Sequence, residues 1–190
     1  MLASNVAAVN GINSFTIDGL LADSTMHFWK VIAKNGTQEE SSPIWKFKTE
    51  DVITDFPYTQ GFEDSAVFNS WPVQSAWVTE PEFSWYASEV NVNSGLLCAK
   101  SFFLNNNLQA ILRSPKVLLP ANHRITFNWE NQNARVEGHD TTYFEVSADG
   151  GQTWTILDFL SPEAPSSYVE RSHNLNAYAG NNFFFRFRYV

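Results

Sequence analysis

Apolar and polar residues alternate along this chain in short runs instead of recurring every three or four positions. No window of eleven or more residues keeps an i, i+3, i+4, i+7 apolar stripe, so the pattern does not predict amphipathic helices. Period-two runs broken by Gly, Pro, Asn and Asp predict strands instead. They fall at Phe15–Ile17, Phe28–Ala33, Ile44–Thr49, Ile125–Trp129, Tyr143–Ser147, Thr153–Leu157 and Phe183–Tyr189. Many short strands with turn signals between them predict an all-β chain of sandwich or jelly-roll type. A polar stretch at 51–55 follows a finished strand, and an aromatic register opens at Phe56-Pro57-Tyr58. That places a domain of residues 1–50, a linker at 51–55 and a second domain at 56–190.

The composition narrows the classes. Hydrophobic residues make up 44% and charged residues 17%, so the chain has ample apolar surface to bury and charge-driven disorder is excluded. Aromatics reach 15%, with seven Trp and sixteen Phe, a load that suits strand cores and ligand-facing surfaces. A net charge of −8 argues against binding to a nucleic-acid phosphate backbone. No run approaches the roughly 18 apolar residues of a membrane span. No basic segment followed by an apolar one marks a secretory signal within these residues. The single cysteine, Cys98, cannot form an internal disulfide, has no zinc-type spacing to other ligands, and reads as a small buried hydrophobe.

In the first fifty residues, Leu21 and Thr25 precede His27-Phe28-Trp29-Lys30-Val31-Ile32-Ala33, and Ser42-Pro43-Ile44-Trp45-Lys46-Phe47-Lys48-Thr49 closes the segment. This resembles the C-terminal half of a fibronectin type III domain. His27 stands at or beside the corner position where that family carries a tyrosine, and its imidazole N–H could replace the missing hydroxyl. Only half of such a domain is covered, and half a sandwich would leave an apolar face in water.

From residue 56 onward the order of motifs is Pro57-Tyr58-Thr59-Gln60-Gly61-Phe62-Glu63-Asp64, then Trp71 and Trp77. Leu112-Arg113-Ser114-Pro115-Lys116-Val117-Leu118-Leu119 and Ile125–Trp129 follow. Ser147-Ala148-Asp149-Gly150-Gly151-Gln152-Thr153-Trp154, Asn174–Gly180 and Phe183–Arg188 complete the series. Together they resemble the MAM-like jelly-roll modules, of the cleaved adhesin or choice-of-anchor J family, in Bacteroidetes surface proteins. Such domains close with a further strand, so residues 56–190 are read as a jelly roll lacking its last strand. The resemblance implies a secreted or cell-surface location. It also implies Ca²⁺ held by Glu63 and Asp64, whose hard oxygens suit that ion; the alternative is a solvated acidic turn.

The Asp149, Gly151, Trp154 segment matches an Asp box, a structural hairpin in which the carboxylate accepts backbone N–H groups and the indole folds back. Trp85 and Tyr86 are the candidate ligand-binding rings. Aromatic faces stack on sugars, and adjacent strand residues point to opposite faces, so one of the two can reach solvent. Glu80, Glu82, Glu89 and Phe83 flank them. Catalysis has little support: His27, His123, His139 and His173 are scattered, no nucleophile elbow or phosphate loop occurs, and no carboxylate pair stands out. Asp23-Ser24-Thr25, Asp64-Ser65-Ala66 and Asp140-Thr141-Thr142 resemble short Bacteroidetes O-glycosylation acceptors. The expectation is a non-catalytic binding or adhesion module for a glycan or a host or cell-surface protein, one domain set within a longer polypeptide. The alternative is a structural spacer, or an accessory domain of an exported peptidase or glycoside hydrolase.

Overall fold

A computed structural model describes residues 21–22, 25–49, 51–64, 78–80, 85–101, 109–130, 141–161 and 167–190. The sequence-expected strand at Phe15–Ile17 lies outside these, as do Trp71, Trp77, Phe83, Glu82 and His139. Among the described residues the chain is all-β, with one single-turn 3-10 helix at Asn176–Tyr178.

The first strands are β1 (Met26–Trp29), β2 (Ile32–Asn35), β3 (Gln38–Ser41) and β4 (Trp45–Lys48). β1 pairs with β4 and β2 with β3, and the Ser42 N–H donates to the Val31 carbonyl between the two ladders. The four strands therefore make one long hairpin with a bulge at its waist. Gly36, at φ +61°, takes the first central position of the tip, the place where a two-residue turn needs glycine to match the twist of the strands. Phe28 (66% exposed) and Ile44 (69%) stand in solvent, and Trp29 packs against Trp45 with ring centroids 4.5 Å apart.

The principal sheet is built around its longest strand. Its members are β5 (Val52–Ile53), β6 (Val78–Glu80), β9 (Ala110–Arg113), β10 (Lys116–Leu119), β12 (Thr142–Ser147), β13 (Thr155–Leu160) and β15 (Gly180–Tyr189). One edge of β15 pairs antiparallel with β12, which carries β13. The other edge pairs with β10 over its first half and β9 over its second, and these carry β5 and β6. β9 and β10 are one strand interrupted at Ser114-Pro115. Ser114 N–H donates to the Phe185 carbonyl, and its own Oγ, in place of a backbone carbonyl, accepts the Phe185 N–H at 3.0 Å. A side chain completes the ladder where proline has no N–H to give. The sheet also takes up the expected linker: Ile53 of β5 is 7% exposed and belongs to the core.

Strand alternation sorts side chains between the two faces of this sheet. Phe144, Val146, Phe183, Phe185 and Leu112 go inward and are buried. Glu145, Arg186 and Arg188 go to the other face. There the Glu145 carboxylate accepts from Arg186 Nε at 2.6 Å and from Arg188 Nη2 at 2.7 Å. Arg186 lies over the Trp154 ring and Arg188 over Tyr143. Burial pushes the Glu145 carboxyl up, but hydrogen bonds and charge from Arg188 and Arg186 outweigh it and hold the group below its usual range.

Two further strand pairs face the inner side. β11 (Arg124–Trp129) pairs with β14 (Val169–Asn174), and β7 (Trp85–Ser88) with β8 (Cys98–Ser101). Phe127 on β11 meets Phe144 and Phe187 of the principal sheet at 4.6 and 5.1 Å between centroids, and Ala87 and Ala99 pack on the same core. Burial of these rings and aliphatic groups is the main force that holds the layers together.

Candidate functional site: a cleft between the layers

Between the principal sheet and the two strand pairs lies a cleft of about 830 Å³. That is within the usual span for ligand pockets, roughly 300–1,000 Å³. Its floor comes from the inward side of the principal sheet, including Leu112, Val117, Leu119, Phe183 and Phe185, all buried. Trp85 of β7 and Trp129 of β11 form part of the wall. The rim is polar and exposed, with Asn91, Asn93 and Ser94 on one side and Asn122, Thr126 and Asn128 on the other.

Two features of the wall bear on binding. The indole Nε1 groups of Trp85 and Trp129 are buried and meet no acceptor among the described residues. A buried donor left unmade costs about 1–3 kcal/mol. The second feature is backbone. Every residue of β8 and of β11 lines the cleft, whereas β7 contributes only Trp85 and β14 contributes none. The cleft therefore opens on the side of β8 away from β7 and on the side of β11 away from β14. Neither strand has a second neighbour among the described residues.

Near the rim, the Tyr168 hydroxyl donates to the Asn91 carbonyl at 2.6 Å. Burial, with Cys98 beside it, pushes that hydroxyl up to about 12, so it remains a donor throughout the physiological range. Cys98 is half-buried, and its Sγ faces the Ser88 carbonyl at 3.5 Å.

Of the residues singled out in the sequence, Trp85 is 8% exposed and joins the core cluster as a cleft wall, not an open stacking platform. Tyr86 is half-buried and sits on the opposite face of β7, cross-strand from Lys100. Glu63 anchors a loop. Its Oε2 accepts the N–H groups of Leu96 at 2.9 Å and Leu97 at 3.2 Å. Gly95, at φ +75°, permits this approach, because a Cβ there would lie 1.9 Å from Glu63 Oε1. Asp64 is exposed beside it. The described neighbours thus offer Glu63 amide donors and not the six to eight oxygens Ca²⁺ takes. Among the described residues no group of three His, Cys, Asp or Glu side chains gathers. Calcium remains what the resemblance implies, and no step is derived through it.

The Asp149 hairpin is closed by its own side chains. Oδ1 accepts the N–H groups of Gln152 and Thr153, each at 3.0 Å, and Trp154 Nε1 donates to the Gly151 carbonyl at 3.1 Å. The Thr153 hydroxyl and backbone N–H and the Ser147 hydroxyl together hold the Asp149 carboxyl far below its ordinary range. His27 stacks on Phe47, and its Nε2 has no hydrogen-bond partner among the described residues, so within them this nitrogen supplies no corner bond.

Sequence reading gave no notice of the Asp158 cluster. Asp158 Oδ2 meets His173 Nε2 at 3.0 Å and Arg171 Nε at 3.1 Å. The His173 ring is stacked on Phe127 and Phe144, so the cluster ties β13 to β14. The cleft edges were equally hidden, because a free strand edge belongs to the backbone and leaves no side-chain signature. No family model, curated protein or solved structure matches this chain. No helix among the described residues is long and apolar enough to cross a membrane.

Proposed function

We propose that this chain is a non-catalytic binding module of a secreted or cell-surface protein, and that the inter-layer cleft seats its glycan or protein ligand. The cleft itself carries the reading: an apolar floor under a polar rim, with two tryptophan rings in the wall. Apolar surface gives affinity and a few fixed polar groups give orientation. The resemblances noted in the sequence supply the extracellular setting and the adhesive role. Among the described residues the histidines add no support for turnover. His173 is held by Asp158 and stacked on Phe127 and Phe144, and His27 and His123 lie against Phe47 and Phe56.

The test is ligand retention on glycan arrays and on defined surface proteins, with Ala99→Trp as the filled-cleft control. Ala99 packs against the core cluster from β8, so a larger side chain there intrudes on the cleft. The reading expects retention by the native chain and its loss in the filled variant, with unchanged circular dichroism. Equal retention by both, or turnover of the ligand, would refute it.

A further inference from the structure

We infer that the ligand of this cleft is an extended peptide strand, which pairs with the free edge of β11 and lays alternate side chains on the apolar floor. This rests on the cleft being a binding site and names what it takes.

The hydrogen-bond parity of β11 fixes which of its groups are free. Leu175 N–H donates to the His123 carbonyl at 3.0 Å, in the same register that pairs Ile125 with His173 and Phe127 with Arg171. In an antiparallel ladder, hydrogen-bonded and non-hydrogen-bonded pairs alternate. Residues 125, 127 and 129 therefore spend their backbone groups on β14. Arg124, Thr126 and Asn128 direct theirs to the opposite edge, the one that opens on the cleft. β11 is a regular six-residue strand with no proline and no register shift, and past Arg124 at its start it carries no charge that would blunt this edge. β8 lines the other side of the opening, also without a second strand neighbour among the described residues.

A strand laid between these edges finds two kinds of partner at once. The β11 edge offers N–H donors and carbonyl acceptors at every second residue. The floor takes the apolar side chains of one face while the rim solvates the other. A compact apolar molecule would meet the floor and leave the edge unpaired. β-strand addition meets both, with affinity from main-chain bonds and selectivity from alternate side chains.

Amide hydrogen exchange followed by NMR tests this. The probe is acetyl-Thr-Val-Thr-Val-Thr-Val-Thr-amide at millimolar concentration, with its analogue N-methylated at every residue, so that neither strand edge can donate, as the non-pairing control. In the free protein the amides of Ile125, Phe127 and Trp129 should be protected, and those of Arg124, Thr126 and Asn128 should exchange freely. Adding the probe should slow the second set at least tenfold, and the N-methylated peptide should not. Thr126→Pro removes one free donor that β14 does not use, so it should weaken the probe at least tenfold. Should that variant misfold, the comparison of the two peptides on native protein still decides. The inference is overturned if the three edge amides are already protected in the free chain, or if the probe shifts floor resonances without protecting them. A cleft that shifts with no peptide, glycan or apolar probe would instead sink the binding-module reading on which this depends.

Discussion

Glu145 offers the sharpest test of how the principal sheet is held. Its side chain is 4% exposed and bridges Arg186 and Arg188, each 18% exposed, on the face away from the cleft. Glu145→Gln keeps the shape and removes the charge. Breaking a buried pair by neutralising one partner costs about 3–5 kcal/mol. Both guanidiniums keep some water and stay stacked on Trp154 and Tyr143, so the low end applies, about 3 kcal/mol. For a chain of this size that lowers the melting temperature by roughly 6–12 °C. The pH dependence has a definite sign. The folded carboxyl is held below its unfolded value, so its stabilisation is present above about pH 4.3 and fades as pH falls through the folded value. Calorimetry of both proteins from pH 3 to 8 should show a gap that is widest near neutrality and narrows in acid. A loss below about 0.5 kcal/mol, the worth of a surface ion pair, or a gap that does not change with pH, would refute the reasoning.

Other substitutions probe separate parts of the fold. Phe144→Ala, at a fully buried ring among Phe127, Phe185 and Phe187, should cost about 3–5 kcal/mol by urea denaturation. Asp149→Ala should speed exchange of the Gln152 and Thr153 amides while β12 and β13 remain protected, because the lost carboxylate accepts amides of the turn. Gly95→Ala should displace the Glu63 carboxylate from Leu96 and Leu97. Combined with Glu63→Ala, its cost in thermal melting should then be less than additive. Calcium binding at the strength of extracellular modules would add about 1–3 kcal/mol at 10 mM ion. Melting in calcium and in EDTA tests the role that the resemblance implies for Glu63 and Asp64: a shift of several degrees supports it, and coinciding curves refute it.

The strands that were legible in the sequence are those whose two faces meet different solvents. Ile125–Trp129, Tyr143–Ser147 and Phe183–Tyr189 alternate apolar with polar residues, and the structure places strands at each. β14 escaped notice because its inward positions are Val169, Arg171 and His173, two of which are polar and pair with the partly exposed Asp158. β5 was concealed by polar neighbours at Asp51, Thr54 and Asp55, although Ile53 is buried. At the cleft, Trp85 was visible as an aromatic, but its burial depends on which face of β7 meets the core. The free edge of β11 follows from the distance between strands that are far apart in the chain, which local pattern does not encode.

β15 touches β12 on one side and β9 and β10 on the other, so it joins halves that share no other ladder in the principal sheet among the described residues. During synthesis, every strand from β5 to β13 emerges before the piece that unites them. Until residues 180–189 arrive, the β12–β13 hairpin and the β9–β10 strand each carry an open, apolar-faced edge, and the pairings that close them reach back some 40 to 80 positions along the chain. A nascent chain arrested before β15 should therefore be sticky and depend on chaperones, and one arrested after residues 180–189 have emerged should be less so, because that strand closes both edges at once.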